Sequence, residues 1–263
     1  MRIVVTGSSS GIGQHLAENL TQAGHEVWGL ARSVQNASFA TAACDVSDWT
    51  QIEHASRIVA GQWPAIDALI CAAAIQGAIG PAMTADPLAW SRTIRTDLDG
   101  TYFTIRAFWS LLSSAPRRAK VVCFSGGGAT KARPNYSAYA AAKTGVVRLV
   151  ENLAAEWSAL PVDINAIAPG AINTGMTRET VDLGPERAGR AEFEAAQRQL
   201  AEGGQSIEKV VALVDFLLSE KSDHITGRLL SAQWDDWAAL AAQAVALSTS
   251  EAYQLRRILP TEH

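Results

Sequence analysis

The stretch TGSSSGIG, Thr6 to Gly13, follows the apolar run RIVVT (2–6) and opens a helical pattern over residues 11–23. In such a position Gly7 permits a tight turn, Gly11 lets the backbone approach a pyrophosphate, and Gly13 allows the helix to pack closely on the strand. Ser9, Ser10 and Ile12 fill the loop between these glycines. The helix N-terminus behind them attracts negative charge. A glycine-rich turn by itself is as compatible with a structural turn as with a ligand site. Its place between strand and helix favours a bound dinucleotide.

Outward from this loop, β-rich runs at 26–31, 38–44, 66–72, 119–125 and 162–168 alternate with helical patterns at 48–60, 86–114 and 136–158. That alternation specifies an α/β fold: a Rossmann-like, doubly wound parallel sheet with helices on both faces, in a single domain. Residues 1–232 are expected to form the dinucleotide-binding and catalytic domain. Within it, 173–205 is polar, Gly-containing and helix-prone, as suits a mobile lid over a substrate. A helix near 206–219 and a strand near 228–231 follow, and 233–263 reads as a largely helical tail.

A chain of 263 residues, 48% hydrophobic and 18% charged, is long for one domain yet short for two. A formal charge of -4, with no basic run of five or more, leaves no electrostatic footprint for nucleic acid. The opening MRIVVTG is too short an apolar run for a signal peptide, and no later run approaches the roughly 18 apolar residues of a membrane helix. Cys44, Cys71 and Cys123 lie in apolar surroundings without a CxxC, which reads as reduced core thiols in a cytoplasmic protein. The five histidines show no ligand spacing, so no metal site is expected.

At the end of the second strand a carboxylate would bind the ribose 2'-hydroxyl of NAD. Here Ala31 holds that place and Arg32 follows it. Loss of the acid removes repulsion of a 2'-phosphate, and a guanidinium can pair with it. NADP(H) is therefore the expected cofactor and NAD(H) the alternative; on the blander reading Arg32 is a solvated strand-end charge.

Tyr139 and Lys143, four apart in YAAAK, share one helix face. A phenol near pKa 10 is a poor acid-base group at neutral pH, and a nearby ammonium stabilises its phenolate. Alone, such a pair is an ordinary amphipathic face.

Together, TGSSSGIG, CDV (Cys44 to Val46), YAAAK (Tyr139 to Lys143) and PGAINT (Pro169 to Thr174) resemble the short-chain dehydrogenase/reductase family, in its single-domain, short-type branch. The motifs occur in the family's order over about residues 1–232. The resemblance implies that Asp45 contacts adenine with Val46 beside it, although Asp45 also suits a strand-end turn. It implies that Ile172 and Thr174, behind Pro169 and Gly170, hold the nicotinamide carboxamide. Ala72 and Ala73, in CAAA where the family has NNAG, fall on the cofactor's wall. Tyr139 is assigned the proton transfer, and Lys143 its tuning and bonds to the nicotinamide ribose. A small-molecule carbonyl or alcohol is the implied substrate, and a homodimer or homotetramer the implied assembly.

The chain also departs from that pattern. The family's carbonyl-polarising serine lies thirteen residues before the tyrosine, where this chain has Gly126. Ser125 is expected to serve if the loop SGGGAT absorbs one residue; the alternatives are a strand-end role for Ser125 and Ser137 as stand-in. Asp97 replaces the catalytic asparagine of N-x-x-G, adding a carboxylate near Lys143 that should favour both ionised forms. AQWDDW, with Trp234, Asp235, Asp236 and Trp237, suits a subunit interface or the stacking of a polyol. The leading expectation is an oxidoreductase passing hydride between NADP(H) and a carbonyl or secondary alcohol. A dinucleotide-binding protein with little catalysis is one alternative. A sugar-nucleotide-modifying relative is the other, though 263 residues leave little room for its substrate domain.

Overall fold

The computed structural model describes residues 1–33 and 36–258. Seven parallel strands form one sheet: β1 (Arg2–Thr6), β2 (Glu26–Ala31), β3 (Ala40–Ala43), β4 (Ala68–Cys71), β5 (Ala119–Phe124), β6 (Val162–Ala168) and β7 (Leu229–Ser231). Their order is β3-β2-β1-β4-β5-β6-β7. The winding reverses between β1 and β4, and in such sheets ligands bind outside the carboxyl ends of the strands at that point. β5 is buried along its whole length and β6 nearly so, which explains their near-continuous apolar runs.

Helices α1 (Gly11–Gln22) and α9 (Ile207–Leu218) cover one face, where Leu16, Leu20, Val210 and Leu213 meet Ile3, Val5 and Ile70. The other face carries α2 (Trp49–Ala60), α4 (Gly100–Ser113) and α5 (Ser137–Glu156), packed through Ile52, Phe108 and Val146 on Val4, Leu69 and Val121. All three cysteines are free and buried. Burial, with Asp45 and Asp48 nearby, pushes the Cys44 thiol up to about 12, so it is inert at neutral pH.

Two stretches, 86–114 and the tail, differ from their expected form. The helical pattern over 86–114 divides into α3 (Pro87–Ile94), a π-helical turn (Arg95–Asp99) and α4. The turn places Asp97 fully inside the protein, where its Oδ1 accepts the Ile75 amide at 2.9 Å. Residues 173–205 form three short helices, α6 (Gly175–Asp182), α7 (Gly184–Ala188) and α8 (Arg190–Glu202).

The tail is less helical than expected. A 3-10 turn (Trp237–Gln243) and α10 (Ala244–Ser248) give way to a loop returning along β7. There the Leu229 amide donates to the Tyr253 carbonyl at 2.8 Å. Arg228, nearly buried, donates to the carbonyls of Ser250 at 2.8 Å, Ala252 at 2.7 Å and Leu247. An edge strand leaves backbone groups unpaired, and this loop covers them. The last part of the expected tail, 259–263, lies outside the described residues.

Candidate active site

The glycine loop begins where β1 ends. Gly7 has φ +72°, and a Cβ on it would stand 2.8 Å from Ala73 Cα. A Cβ on Gly13 would stand 2.4 Å from the Gly7 carbonyl oxygen, so only glycine lets α1 sit this close. Gly11 (φ +57°) lies against Thr174, whose Cγ2 would be 3.5 Å from an added Cβ. The TGSSSGIG and PGAINT stretches, 163 residues apart at Gly11 and Thr174, thus face each other across one crevice. Ser10 caps α1 without a side-chain hydrogen bond, leaving the first-turn amides open to an anion. Thr6 Oγ1 accepts the amides of Ala72 and Ala73, each at 3.2 Å, fixing the CAAA wall beside Gly7. This glycine cradle and uncapped helix fit the pyrophosphate of a dinucleotide.

Around it the other expected contacts fall as follows. Arg32 is exposed, with no hydrogen bond or ion pair among the described residues, beside a cleft lined by Ser9, Ala31, Ser33 and Phe39. Asp45 Oδ1 accepts the Ser47 amide at 2.9 Å and hydroxyl at 2.7 Å, so one oxygen serves the turn and Oδ2 carries no bond among the described residues. Val46 is buried close against Gly100. Gly170 takes φ +87°, and Ile172 is buried with the core on the α1 side. Gln233 Nε2 donates to the Pro169 carbonyl at 3.0 Å and fixes that turn.

α5 carries Tyr139 and Lys143 to the carboxyl ends of β4 and β5. Lys143 is buried; its Nζ donates to the Phe124 carbonyl at 3.0 Å and lies 3.6 Å from Asp97 Oδ2. Its ammonium also stands 5.5 Å from the Tyr139 ring centroid. Burial works against the charge of Lys143, but Asp97 and Tyr139 hold its pKa above the ordinary lysine value. For Asp97 burial outweighs the neighbouring ammonium and raises its carboxyl pKa. The ammonium does favour the Asp97 carboxylate, as the opposite charge implies, but burial has the larger effect. The Asp97 carbonyl accepts the Thr101 hydroxyl at 2.7 Å, and its Oδ2 has no hydrogen-bond partner among the described residues.

Ser125 follows β5 directly. Its hydroxyl is buried and donates to the Lys143 carbonyl at 3.2 Å, turned under α5, and no hydrogen bond joins it to Tyr139. Gly126 instead faces the phenol: a Cβ on it would stand 3.3 Å from Tyr139 Oη. Ser125 lies one residue from the facing position, and neighbours in an extended chain point to opposite sides. Ser137 accepts the Trp90 indole N–H at 3.1 Å and is the first residue of α5.

The AQWDDW stretch divides. Asp235 Oδ2 accepts the Ser231 amide at 2.7 Å, and Asp236 caps the following turn. Trp237 packs on Phe216, with ring centroids 5.5 Å apart. Trp234 alone of the two indoles is widely exposed.

The family described as "Enoyl-(Acyl carrier protein) reductase" matches residues 7–233. The chain belongs to the short-chain dehydrogenase/reductase family. Among short-chain dehydrogenases/reductases it is 28% identical to levodione reductase of Leifsonia aquatica over 243 residues, covering 87% of this chain and 91% of that one. It is 30% identical over 237 residues to the galactitol 2-dehydrogenase (L-tagatose-forming) of Cereibacter sphaeroides, covering 86% and 91%. The solved structure of a levodione reductase superposes with a TM-score of 0.78 at 25% identity, covering 93% of this chain and 98% of that one.

Sequence reasoning passed over a third cluster. Tyr136 is fully buried, and its hydroxyl donates to Thr180 Oγ1 at 3.2 Å, which in turn donates to Gln76 Oε1 at 3.1 Å. Arg133 lies over the Tyr136 ring, 3.9 Å from its centroid, and pairs with Glu192 of α8. Arg133 stands within the loop that leads to Tyr139, a signal that it borders the site. Nothing in the sequence marks Glu192.

Proposed function

We propose that this short-chain dehydrogenase/reductase interconverts a carbonyl and a secondary alcohol, with NADP(H) preferred over NAD(H). The observation that carries the reading is the buried Lys143 ammonium, held beside both Tyr139 and Asp97 at the mouth of the glycine crevice. A bound nicotinamide dinucleotide supplies or accepts the hydride. Tyr139 transfers the proton to or from the substrate oxygen, with the Lys143 ammonium beside its ring. Asp97 keeps that ammonium charged against burial. Gly7, Gly11 and Gly13 admit the pyrophosphate, Asp45 the adenine, Ile172 and Thr174 the carboxamide, and Arg32 the 2'-phosphate. Ser125 acts indirectly, by anchoring the turn of α5 that carries Lys143. Two relatives are named for reactions of this kind, a galactitol 2-dehydrogenase that forms L-tagatose and a levodione reductase. Assembly as a homodimer or homotetramer belongs to the same reading.

The test is NADPH oxidation or NADP+ reduction on a panel of ketones, ketosugars and secondary alcohols, with Tyr139→Phe as control. Tyr139→Phe should lower kcat by about 10²- to 10⁴-fold while cofactor affinity is kept, because only the hydroxyl is lost. Equal turnover of the variant would remove Tyr139 from the mechanism. A second reading, a dinucleotide-binding protein with little catalysis, is favoured by one observation: the side-chain-free Gly126 faces the phenol. Tight NADPH binding without turnover across the panel would support it.

A further inference from the structure

The Arg133–Glu192 pair stands where a substrate's remote end would lie. Arg133 is 5.7 Å from the Tyr139 ring centroid, and both side chains are only partly exposed. The guanidinium is held on the buried Tyr136 ring, itself tied through Thr180 to Gln76. Its position is thus set by three elements: the loop before α5, α6, and the loop after β4.

The pair is half-satisfied. Arg133 Nε, at 3.1 Å, and Nη2, at 2.8 Å, both donate to the single oxygen Oε2 of Glu192. Among the described residues, Nη1 of Arg133 donates to nothing and Oε1 of Glu192 accepts nothing. One donor and one acceptor of the pair thus lack a protein partner among the described residues.

A hydroxyl is both donor and acceptor, so two adjacent hydroxyls can use both groups at once, one giving its proton to Oε1 and the next accepting from Nη1. A substrate carboxylate or phosphate would satisfy Nη1 but meet the Glu192 charge. A hydroxyl-free ketone would leave both groups unused.

Resting on the oxidoreductase reading, we propose that Arg133 and Glu192 determine specificity by binding vicinal hydroxyls of a polyol or sugar whose neighbouring carbinol is oxidised at Tyr139. The reaction balances as secondary alcohol plus NADP+ to ketone plus NADPH and a proton, the hydride leaving the carbinol carbon and the proton leaving its oxygen.

The test compares galactitol, an alditol with vicinal hydroxyls, with cyclohexanol, a secondary alcohol without them, using the full chain with NADP+. The parent should show a lower KM for galactitol. Glu192→Gln should raise the galactitol KM at least tenfold, about 1.4 kcal/mol, and leave kcat and KM for cyclohexanol within about twofold. Arg133→Lys keeps the charge but loses the fork, and should act the same way. A parallel loss on both alcohols would mean that the pair only holds α8 in place, and would overturn the proposal. Turnover of cyclohexanol without galactitol would overturn it while leaving the oxidoreductase reading intact. Turnover of neither would reject both.

Discussion

Lys143 Nζ and Asp97 Oδ2 lie 3.6 Å apart, with side chains 3% and 0% exposed, and they link α5 to the π-helical turn before α4. Their linkage to pH has a definite sign. Lys143, raised in the fold, contributes stability below the ordinary lysine value and loses it as pH rises through its folded value. Asp97, also raised, does the same across the carboxylate range: its protonated form is the one the fold prefers. Asp97→Asn should therefore leave Lys143 buried with burial opposed only by Tyr139 and Cys123, and lower its pKa. The variant is expected to fold with a deficit of up to about 3–5 kcal/mol at pH 7. The deficit should shrink as pH rises toward about 10, because the variant's Lys143 sheds its proton in the fold before the unfolded chain does. Urea denaturation at the two pH values measures this; a deficit that grows with pH would contradict it. Turnover should persist, and its complete loss would show that the carboxylate itself does chemistry.

The neighbours Ser125 and Gly126 separate two roles. Ser125→Ala removes a bond to the Lys143 carbonyl, and should cost about 1 kcal/mol of stability with little change in kcat. Gly126→Ser places a side chain beside Tyr139 Oη, its Cβ at 3.3 Å, and should raise kcat if that hydroxyl takes up the polarising role. Steady-state kinetics on both variants decide the matter. A large drop in kcat for Ser125→Ala, with the fold intact, would return the polarising role to Ser125.

Arg32→Ala should weaken NADPH selectively, by about 1–3 kcal/mol, as charged hydrogen bonds to a 2'-phosphate are lost. Calorimetric titration with NADPH and NADH checks it. Equal losses for both cofactors, or a parent that prefers NADH, would remove Arg32 from the cofactor site.

Gly13→Ala should impair cofactor binding and stability together. Its Cβ would lie 2.4 Å from the Gly7 carbonyl oxygen, a backbone atom that cannot move without shifting the loop. Thermal melts with and without NADPH should show a lower Tm and a smaller cofactor-induced rise; an unchanged cofactor-induced rise would mean that the loop does not hold the pyrophosphate.

The sequence by itself determined the sheet, because strand and helix periodicities are local and the parallel strands carry buried apolar runs such as VVCF, Val121 to Phe124. The glycine loop was legible as well, from its place between a strand and a helix. Tyr139 and Lys143 were legible because four residues on one helix fix a shared face. Only the tertiary structure decided the rest. The helical pattern over 86–114 is broken by a π-helical turn whose Asp97 is bound by Ile75, 22 positions away, and periodicity carries no record of such a partner. The direction of Ser125 depends on how β5 ends beneath α5, and one residue of phase turns its hydroxyl from the phenol to the Lys143 carbonyl. Trp237 belongs to the packing around Phe216 of α9, and the tail beyond it to the open edge of β7. Arg133 and Glu192, 59 residues apart, meet because α8 folds back over the loop before α5, a contact between surfaces that no local pattern encodes.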